Sequence, residues 1–244
     1  MSSIRIEEVM IASIARMLSG LSHIAVGAAS PIPGSAALLA RELSGGSMRV
    51  SLLGRVSQPA FTDGGRELFD CAAQGRIDAF FLSGVQIDGQ ANINLVYIGD
   101  PDQPKARFPG SFGSAYLYYL VPRVILFRQE HTPRTLVEKV DFISAPGKSD
   151  ENVYRTGGPY SLVTGRCVFK FNPEAERFTL ESVHPGHTLE EIKQETGFEF
   201  DVPDGATPVT QAPSSQWLEL IRGPVGNEIR EIYPEFAANI LGVN

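Results

Sequence analysis

Up to Leu82 the sequence alternates short apolar runs with longer stretches of helical period, and that alternation limits the fold more than any other feature. Residues 7–18 (EEVMIASIARML) put Val9, Met10, Ile14, Met17 and Leu18 on one broad face, with Gly20 as a stop. HIAVGAA (23–29) reads as a short buried strand, followed by a loop that Pro31 and Pro33 impose. SAALLAREL (35–43) is a helix of good formers, ended by SGGS (44–47). RVSLL (49–53) is a second strand, Glu67 to Gln74 a helix closed by Gly75, and Asp78 to Leu82 a third strand. Short strands separated by helices specify an α/β fold, an open and mostly parallel sheet with flanking helices.

Beyond Leu82 the texture changes. Residues 83–113 are rich in Gly, Pro, Asn and Asp and read as loops. RVILF (123–127) and KVDFIS (139–144) are two further apolar strands, and SLVT (161–164) with CVFKF (167–171) forms a hairpin around Gly165. TLEEIKQETG (188–197) opens with a capping box, Thr188 and Glu191. Periodicity weakens towards the C-terminus, no internal repeat is present, and a single domain over 1–244 is expected.

Net charge is −7 with no dense basic stripe, which argues against nucleic-acid binding. No apolar run approaches the roughly 20 residues of a membrane helix. The start, MSSIRIEEVM, lacks the basic-then-apolar order of a secretory signal. Two cysteines, Cys71 and Cys167, support neither a disulfide scaffold nor a zinc site, and a reducing cytoplasm is the expected compartment.

Open parallel sheets bind ligands outside the carboxyl ends of their strands. Four loops qualify: 27–34, 53–59, 83–94 and 104–113. In the third, Gly84 lets backbone come close to a ligand, and consecutive amides there suit a developing oxyanion. Asn92 and Asn94, at period two, share a face. In the fourth, Gly110-Ser111-Phe112-Gly113 follows Lys105 and Arg107, and a glycine-rich turn beside cations suits phosphate or a thioester carbonyl. The plainer alternative is that both are turns, with asparagines capping backbone. Neither matches a dinucleotide fingerprint or a P-loop. Ser111 is not in a G-x-S-x-G elbow. HPGH (184–187) reads as a turn with two partly exposed histidines more readily than as a metal pair, because no third ligand stands at metal spacing. Cys71 falls on an amphipathic helix as a small buried hydrophobe. Asp78 and Asp88 flank the third strand as an acid/base pair or as ordinary strand-end aspartates.

Four segments carry a resemblance. SGVQIDGQANIN (83–94), RFPGSFG (107–113), KVDFISAPG (139–147) and HPGHTLEEIKQETGF (184–198) are similar, in that order, to the characteristic segments of family I CoA-transferase beta subunits, of which glutaconate CoA-transferase is the best-known type. Ser83, Ala91 and Phe112 stand where those segments carry glycine. The resemblance implies an α/β fold and a homologous alpha partner, commonly as an α2β2 heterotetramer. It implies a CoA thioester as substrate, with no covalently bound cofactor and no metal. It assigns carbonyl or oxyanion contacts to Gly84, Gln86 and Ser111. It assigns substrate and CoA contacts to Ser83, Val85, Asn92, Gly110, Phe112 and Gly113, with Arg55, Arg107 or Arg123 as cations for a substrate carboxylate. A structural salt bridge is an equal alternative for Arg123.

One departure narrows the chemistry. Family transferases carry a nucleophilic glutamate just after the second strand, and Leu53 stands at that position in Ser51-Leu52-Leu53-Gly54-Arg55. No Asp or Glu lies between Glu42 and Asp63. Leucine cannot form an acyl anhydride. Residues 69–84 (FDCAAQGRIDAFFLSG) look more like the 3-methylglutaconyl-CoA decarboxylases, which resemble this family, as do the steroid ring-cleaving hydrolases. Either chemistry passes through an enolate. A true transferase and a non-catalytic supporting subunit are the alternatives.

Overall fold

The computed structural model describes residues 3–243. The chain forms two compact units, one from residues up to Phe81 together with Thr210 onward, the other from Leu82 to Val209.

The first unit opens with α1 (Ile6–Met17), β1 (His23–Val26), α2 (Pro31–Leu43), β2 (Arg49–Leu52), α3 (Gly64–Ala73) and all but the last residue of β3 (Ala79–Leu82). β1 pairs in parallel with β2 on one side and β3 on the other, in register His23 with Arg49 and Ile24 with Ala79. Val9, Met10, Ile14 and Leu18 of the face read from the sequence are buried and Met17 is half-buried, but α1 is buried on every side from Glu8 to Ala15, not on one face alone. The loop expected from Pro31 and Pro33 is instead the first turn of α2. Proline at the first helical position loses no hydrogen bond, since that amide has no intrahelical partner, and its fixed φ suits a helix. α3 likewise starts at Gly64, before the expected Glu67. The aperiodic C-terminus is helical: α6 (Ser215–Leu220), capped by the Ser214 hydroxyl, runs into a wider turn (Ile221–Val225) kinked at Gly223 before Pro224, then α7 (Gly226–Ile229).

The second unit carries β4 (Gln86–Ile87), β5 (Ile93–Asn94), β6 (Tyr97–Gly99), β7 (Pro104–Arg107), α4 (Ser114–Leu120), β8 (Arg123–Arg128), β9 (Pro159–Thr164), β10 (Cys167–Asn172), β11 (Arg177–Val183) and α5 (Leu189–Glu195). β8 and β9 run parallel, whereas β9, β10 and β11 are antiparallel. The hairpin expected around Gly165 is present, and the Thr188–Glu191 capping box caps α5 in both directions. Phe178 and Phe198 stack, and Phe169 packs tilted against both, in an aromatic core. KVDFIS is not a strand. Residues 139–147 form an irregular strap, because its backbone is taken up by side chains and single bridges: Asp141 N donates to Gln86 Oε1, Gly147 N to Asn92 Oδ1, and Ala145 N to Ile93 O.

Candidate functional site

Residues 83–94 of the second unit fold into a dense knot of hydrogen bonds. The Gln86 side chain accepts from Asn94 Nδ2 (2.8 Å) and Asp141 N (3.0 Å), and donates to Asp141 Oδ2 (3.1 Å). Asp141 Oδ2 also takes the Gly99 amide at 2.8 Å. Asn94 Nδ2 reaches the Tyr97 carbonyl, and its Oδ1 accepts from Val96 N. Asn92 donates to Asp88 and accepts from Gly147. Asp88 also receives the amides of Gln90 and Asn92, and burial pushes its carboxyl pKa up despite those donors. Gln86 and Asn92, chosen from sequence as ligand contacts, are thus buried and bound to their own chain, Gln86 to Asn94 and Asn92 to Asp88 and Gly147. Gly84 is needed for close approach, but to its own chain: a Cβ there would lie 2.5 Å from the Gln86 carbonyl oxygen. The Val85 amide donates to Asn94 O. Ser83 and Val85 are half-buried at the rim.

The glycine-rich turn is open. Gly110 N donates to Leu95 O, and a Cβ at Gly110 would sit 3.1 Å from Leu95. Ser111 and Phe112 are exposed, Phe112 to 83%, and Gly113 caps α4. Arg107 is exposed, lies 6.0 Å from the Tyr97 ring centroid, and donates to Pro101 O. Arg123 lies over the Tyr160 ring at 4.4 Å.

The turn after β2 belongs to the first unit and is built from charge. Leu53 N continues the ladder to Val26 O, and Gly54 takes a positive φ of 92°. Arg55 Nη1 bonds Glu228 Oε1, and Arg55 Nε bonds Glu231 Oε2 at 3.2 Å. Glu231 Oε1 also accepts the amides of Val56 (3.0 Å) and Ser57 (2.7 Å), and its Oε2 the Ser57 hydroxyl (2.5 Å). Those donors, Ser57 first, hold the Glu231 carboxyl down at about 2. Burial opposes ionisation of Glu228, yet Arg41 and Arg55 bring its pKa below the usual carboxylate range. Arg41 also bonds Glu228 Oε2 at 2.5 Å. Two carboxylates therefore reach this turn, and both are ionised and taken up by cations or N–H and O–H donors. The sequence around Leu53 carries no sign of them, since Glu231 is 174 residues from Ser57.

The remaining candidates are structural. Asp78 accepts the amides of Ser22 and His23. His184 is buried, not partly exposed as the HPGH turn suggested, and bonds the Thr164 carbonyl at 2.9 Å. Among the described residues, no three His, Cys, Asp or Glu side chains gather as a metal ion would need. His131, which no motif marked, is 3% exposed, with Nδ1 on Thr164 Oγ1 (2.8 Å) and Nε2 on Thr196 Oγ1 (2.9 Å). The Thr196 hydroxyl gives its proton to Ile192 O, so it accepts from His131 Nε2–H, which leaves Nδ1 as an acceptor. Cys71 and Cys167 are buried and free. No helix among the described residues is long and apolar enough to cross a membrane.

The family model described as "Coenzyme A transferase" matches residues 1–195. The chain belongs to the coenzyme A transferase family. Within that family it is 32% identical over 149 residues to the B-type subunit of glutaconate CoA-transferase from Acidaminococcus fermentans, a match that covers 58% of this chain and 54% of that one. It is 31% identical over 162 residues to the IpdB subunit of the cholesterol ring-cleaving hydrolase of Rhodococcus jostii, covering 64% and 62%. The chain thus spans less than two thirds of the length of each of these relatives. The crystal structure of Rhodococcus jostii RHA1 IpdAB superposes with a TM-score of 0.80 at 25% identity, over 95% of this chain and 99% of that chain. The decarboxylase AibA/AibB has the same fold, with a TM-score of 0.77 at 23% identity over 99% and 100% of the two chains. The expected CoA-transferase-like α/β architecture and the resemblance to the family's beta subunits are both borne out.

Proposed function

We propose that this chain is one subunit of a two-subunit enzyme acting on an acyl-CoA thioester, and that its reaction runs through an enolate without an acyl-enzyme. The turn after β2 carries this reading. A transferring carboxylate must be free to attack a thioester carbonyl, and neither carboxylate at this turn is free. Leu53 is aliphatic, and Glu231 holds four hydrogen bonds. Decarboxylation or hydrolytic C–C cleavage needs instead a polarised thioester carbonyl to take the electron pair of the breaking bond. The exposed backbone from Ser111 onward is what the glycine-rich turn offers that oxygen. For a substrate carboxylate, Arg107 is exposed and has no carboxylate partner among the described residues, while Arg55 is already paired with Glu228 and Glu231. The partner is a homologous alpha-type subunit, as the paired names of IpdAB and AibA/AibB suggest. A reducing cytoplasm suits two free cysteines.

Co-expression with that partner and a panel of acyl-CoAs tests the proposal. Release of carbon dioxide or a ring-opened acyl-CoA is expected. Efficient CoA exchange between acetate and a dicarboxylyl-CoA would overturn it. The second reading, a true transferase, is favoured by the identity to the glutaconate CoA-transferase subunit. It requires a nucleophile on the partner, and borohydride trapping during turnover would then yield a modified glutamate in that subunit.

A further inference from the structure

The carboxyl ends of β1 and β2 are covered by the chain's own C-terminal segment. Tyr233 Oη accepts the Ser30 amide (3.1 Å) at the start of α2. A Cβ at Gly54 would be 3.7 Å from Ile232 Cγ2, and one at Gly34 would be 2.8 Å from Ile229 Cδ1. Glu228 and Glu231 hold Arg55, Val56 and Ser57. One stretch of six residues thus touches the loops after both strands, and it lies beyond the residues that the family model matches.

We propose that Glu231 is a positioning residue that sets the conformation of the turn after β2 and, through that turn, the turnover of acyl-CoA. The functional half rests on the reading under Proposed function. The chemistry of the contact supports the positioning half. Glu231 spans two consecutive amides with one oxygen and a hydroxyl plus a guanidinium with the other, so all four bonds favour a single backbone course for residues 55–57. The turn carries Leu53, and open parallel sheets place reacting groups at such strand ends. A turn released from Glu231 would misplace groups near the reacting atoms more than the distant parts of a CoA ester, so the loss should fall on kcat and spare KM.

The test uses the full chain with its co-purifying partner, as wild type, Glu231→Ala, Glu231→Gln and Ser57→Ala. Amide exchange by mass spectrometry is read on peptides covering residues 53–58, with peptides of β2 as the internal control for folding. Glu231→Ala should speed exchange in 53–58 at least tenfold and leave β2 unchanged. Ser57→Ala, which removes one of the four donors, should fall between it and wild type. Glu231→Gln keeps an acceptor for the two amides but turns a donor towards Arg55, so it should recover part of the protection. With an acyl-CoA that the wild type turns over, kcat should drop at least tenfold in Glu231→Ala while KM changes less than threefold, and Glu231→Gln should recover part of kcat. Unchanged exchange in 53–58, or faster exchange with an unchanged kcat, would overturn the proposal. A wild type that turned over no acyl-CoA would overturn the functional reading alone, and the exchange result would still decide the positioning.

Discussion

The loops after Leu82 and the turn after β2 are held by opposite means. The first are tied by side-chain amides and by the carboxylates of Asp88 and Asp141, which accept from neutral N–H donors, with Gln86 to Asn94 eight residues apart and Gln86 to Asp141 fifty-five apart. The second is tied by ions from far along the chain, with Arg55 to Glu228 173 residues apart. Buried hydrogen-bond networks without ion pairs resist salt, and lose much when one member is removed. Partly buried ionic networks with several members, such as Arg41, Arg55, Glu228 and Glu231, share their load, and each member is worth less. The two units therefore answer acid, steric and ionic perturbation differently, and each contrast can be measured.

Acid should produce the largest effect, and it should fall on the second unit. Burial lowers the imidazole pKa of His131 to about 3, with Arg166 and His187 adding to it, and that of His184 to about 4, against the bond to the Thr164 carbonyl. Both folded values lie below the ordinary histidine value of roughly 6.5. As pH falls from about 6.5 to about 4, the unfolded chain takes up protons that the folded unit refuses. Stability then falls by roughly 1.4 kcal/mol per pH unit for each histidine, and does not change on this account above pH 6.5. Asp88, raised by burial, works the other way but only over the carboxylate range. In the first unit only His23 is lowered in this way among the described residues. Glu231, held at about 2, contributes in full above the ordinary carboxylate range and is lost only as pH falls towards 2. Urea titrations read by amide exchange at pH 7 and pH 4.5 should show second-unit peptides opening at clearly lower urea at pH 4.5, with a smaller shift in the first unit. Equal shifts would remove the contrast.

Steric substitution comes next. In the second unit, a Cβ at Gly147 would lie 2.0 Å from the Gln90 carbonyl oxygen, a backbone atom that cannot swing aside. Gly147→Ala should cost about 3 kcal/mol or more, at the upper end of overpacking penalties. In the first unit, the nearest atom to a Cβ at Gly54 is 3.7 Å away, and the strain is that of its φ of 92°. Gly54→Ala should cost about 1–2 kcal/mol, the penalty of a left-handed residue with a Cβ. Urea midpoints that rank Gly54→Ala as the more damaging would contradict the account of both turns.

The same contrast explains what the sequence can tell. α1, the hairpin around Gly165 and the α5 capping box are encoded by neighbours within a few residues, and each is where its pattern puts it. The SGVQIDGQANIN segment stands out in the sequence because glycines, asparagines and aspartate cluster directly after a strand. Their role as a mutual scaffold is not legible, because Asp141 reads as one alternate position of an apolar strand and becomes a strap only through Gln86. Pro31 is ambiguous because its fixed φ suits a loop and the first turn of a helix alike, so the residue itself does not tell which. The pin on the β2 turn leaves no local trace. Glu228 and Glu231 sit in an aperiodic stretch, and a carboxylate carries no mark in sequence of the loop it will hold.

The smallest expected effect is also the most discriminating, because it separates ionic from neutral holding directly. Arg55→Ala removes one cation from Glu228 and one donor from Glu231, but Arg41 still neutralises Glu228, and Val56 and Ser57 still bond Glu231. No charge is stranded, so the cost should be about 1 kcal/mol at low ionic strength. At 1 M salt, where the screening length is roughly 3 Å, part of that difference should vanish, less than for a fully exposed pair because Arg55 and Glu228 are largely shielded from solvent. Asp141→Ala does the reverse. It strips the part-buried Gln86 amide nitrogen of its acceptor, at about 1 kcal/mol, while the Gly99 amide, at an exposed bond, turns to water. Salt cannot restore that bond, because no ion pair is involved. Stability of both variants at 0.05 M and 1 M salt should therefore move towards wild type for Arg55→Ala and stay apart for Asp141→Ala. An Arg55→Ala penalty undiminished by salt would mean that the guanidinium holds the turn by packing against it more than by charge, and would place the two regions under one mechanism.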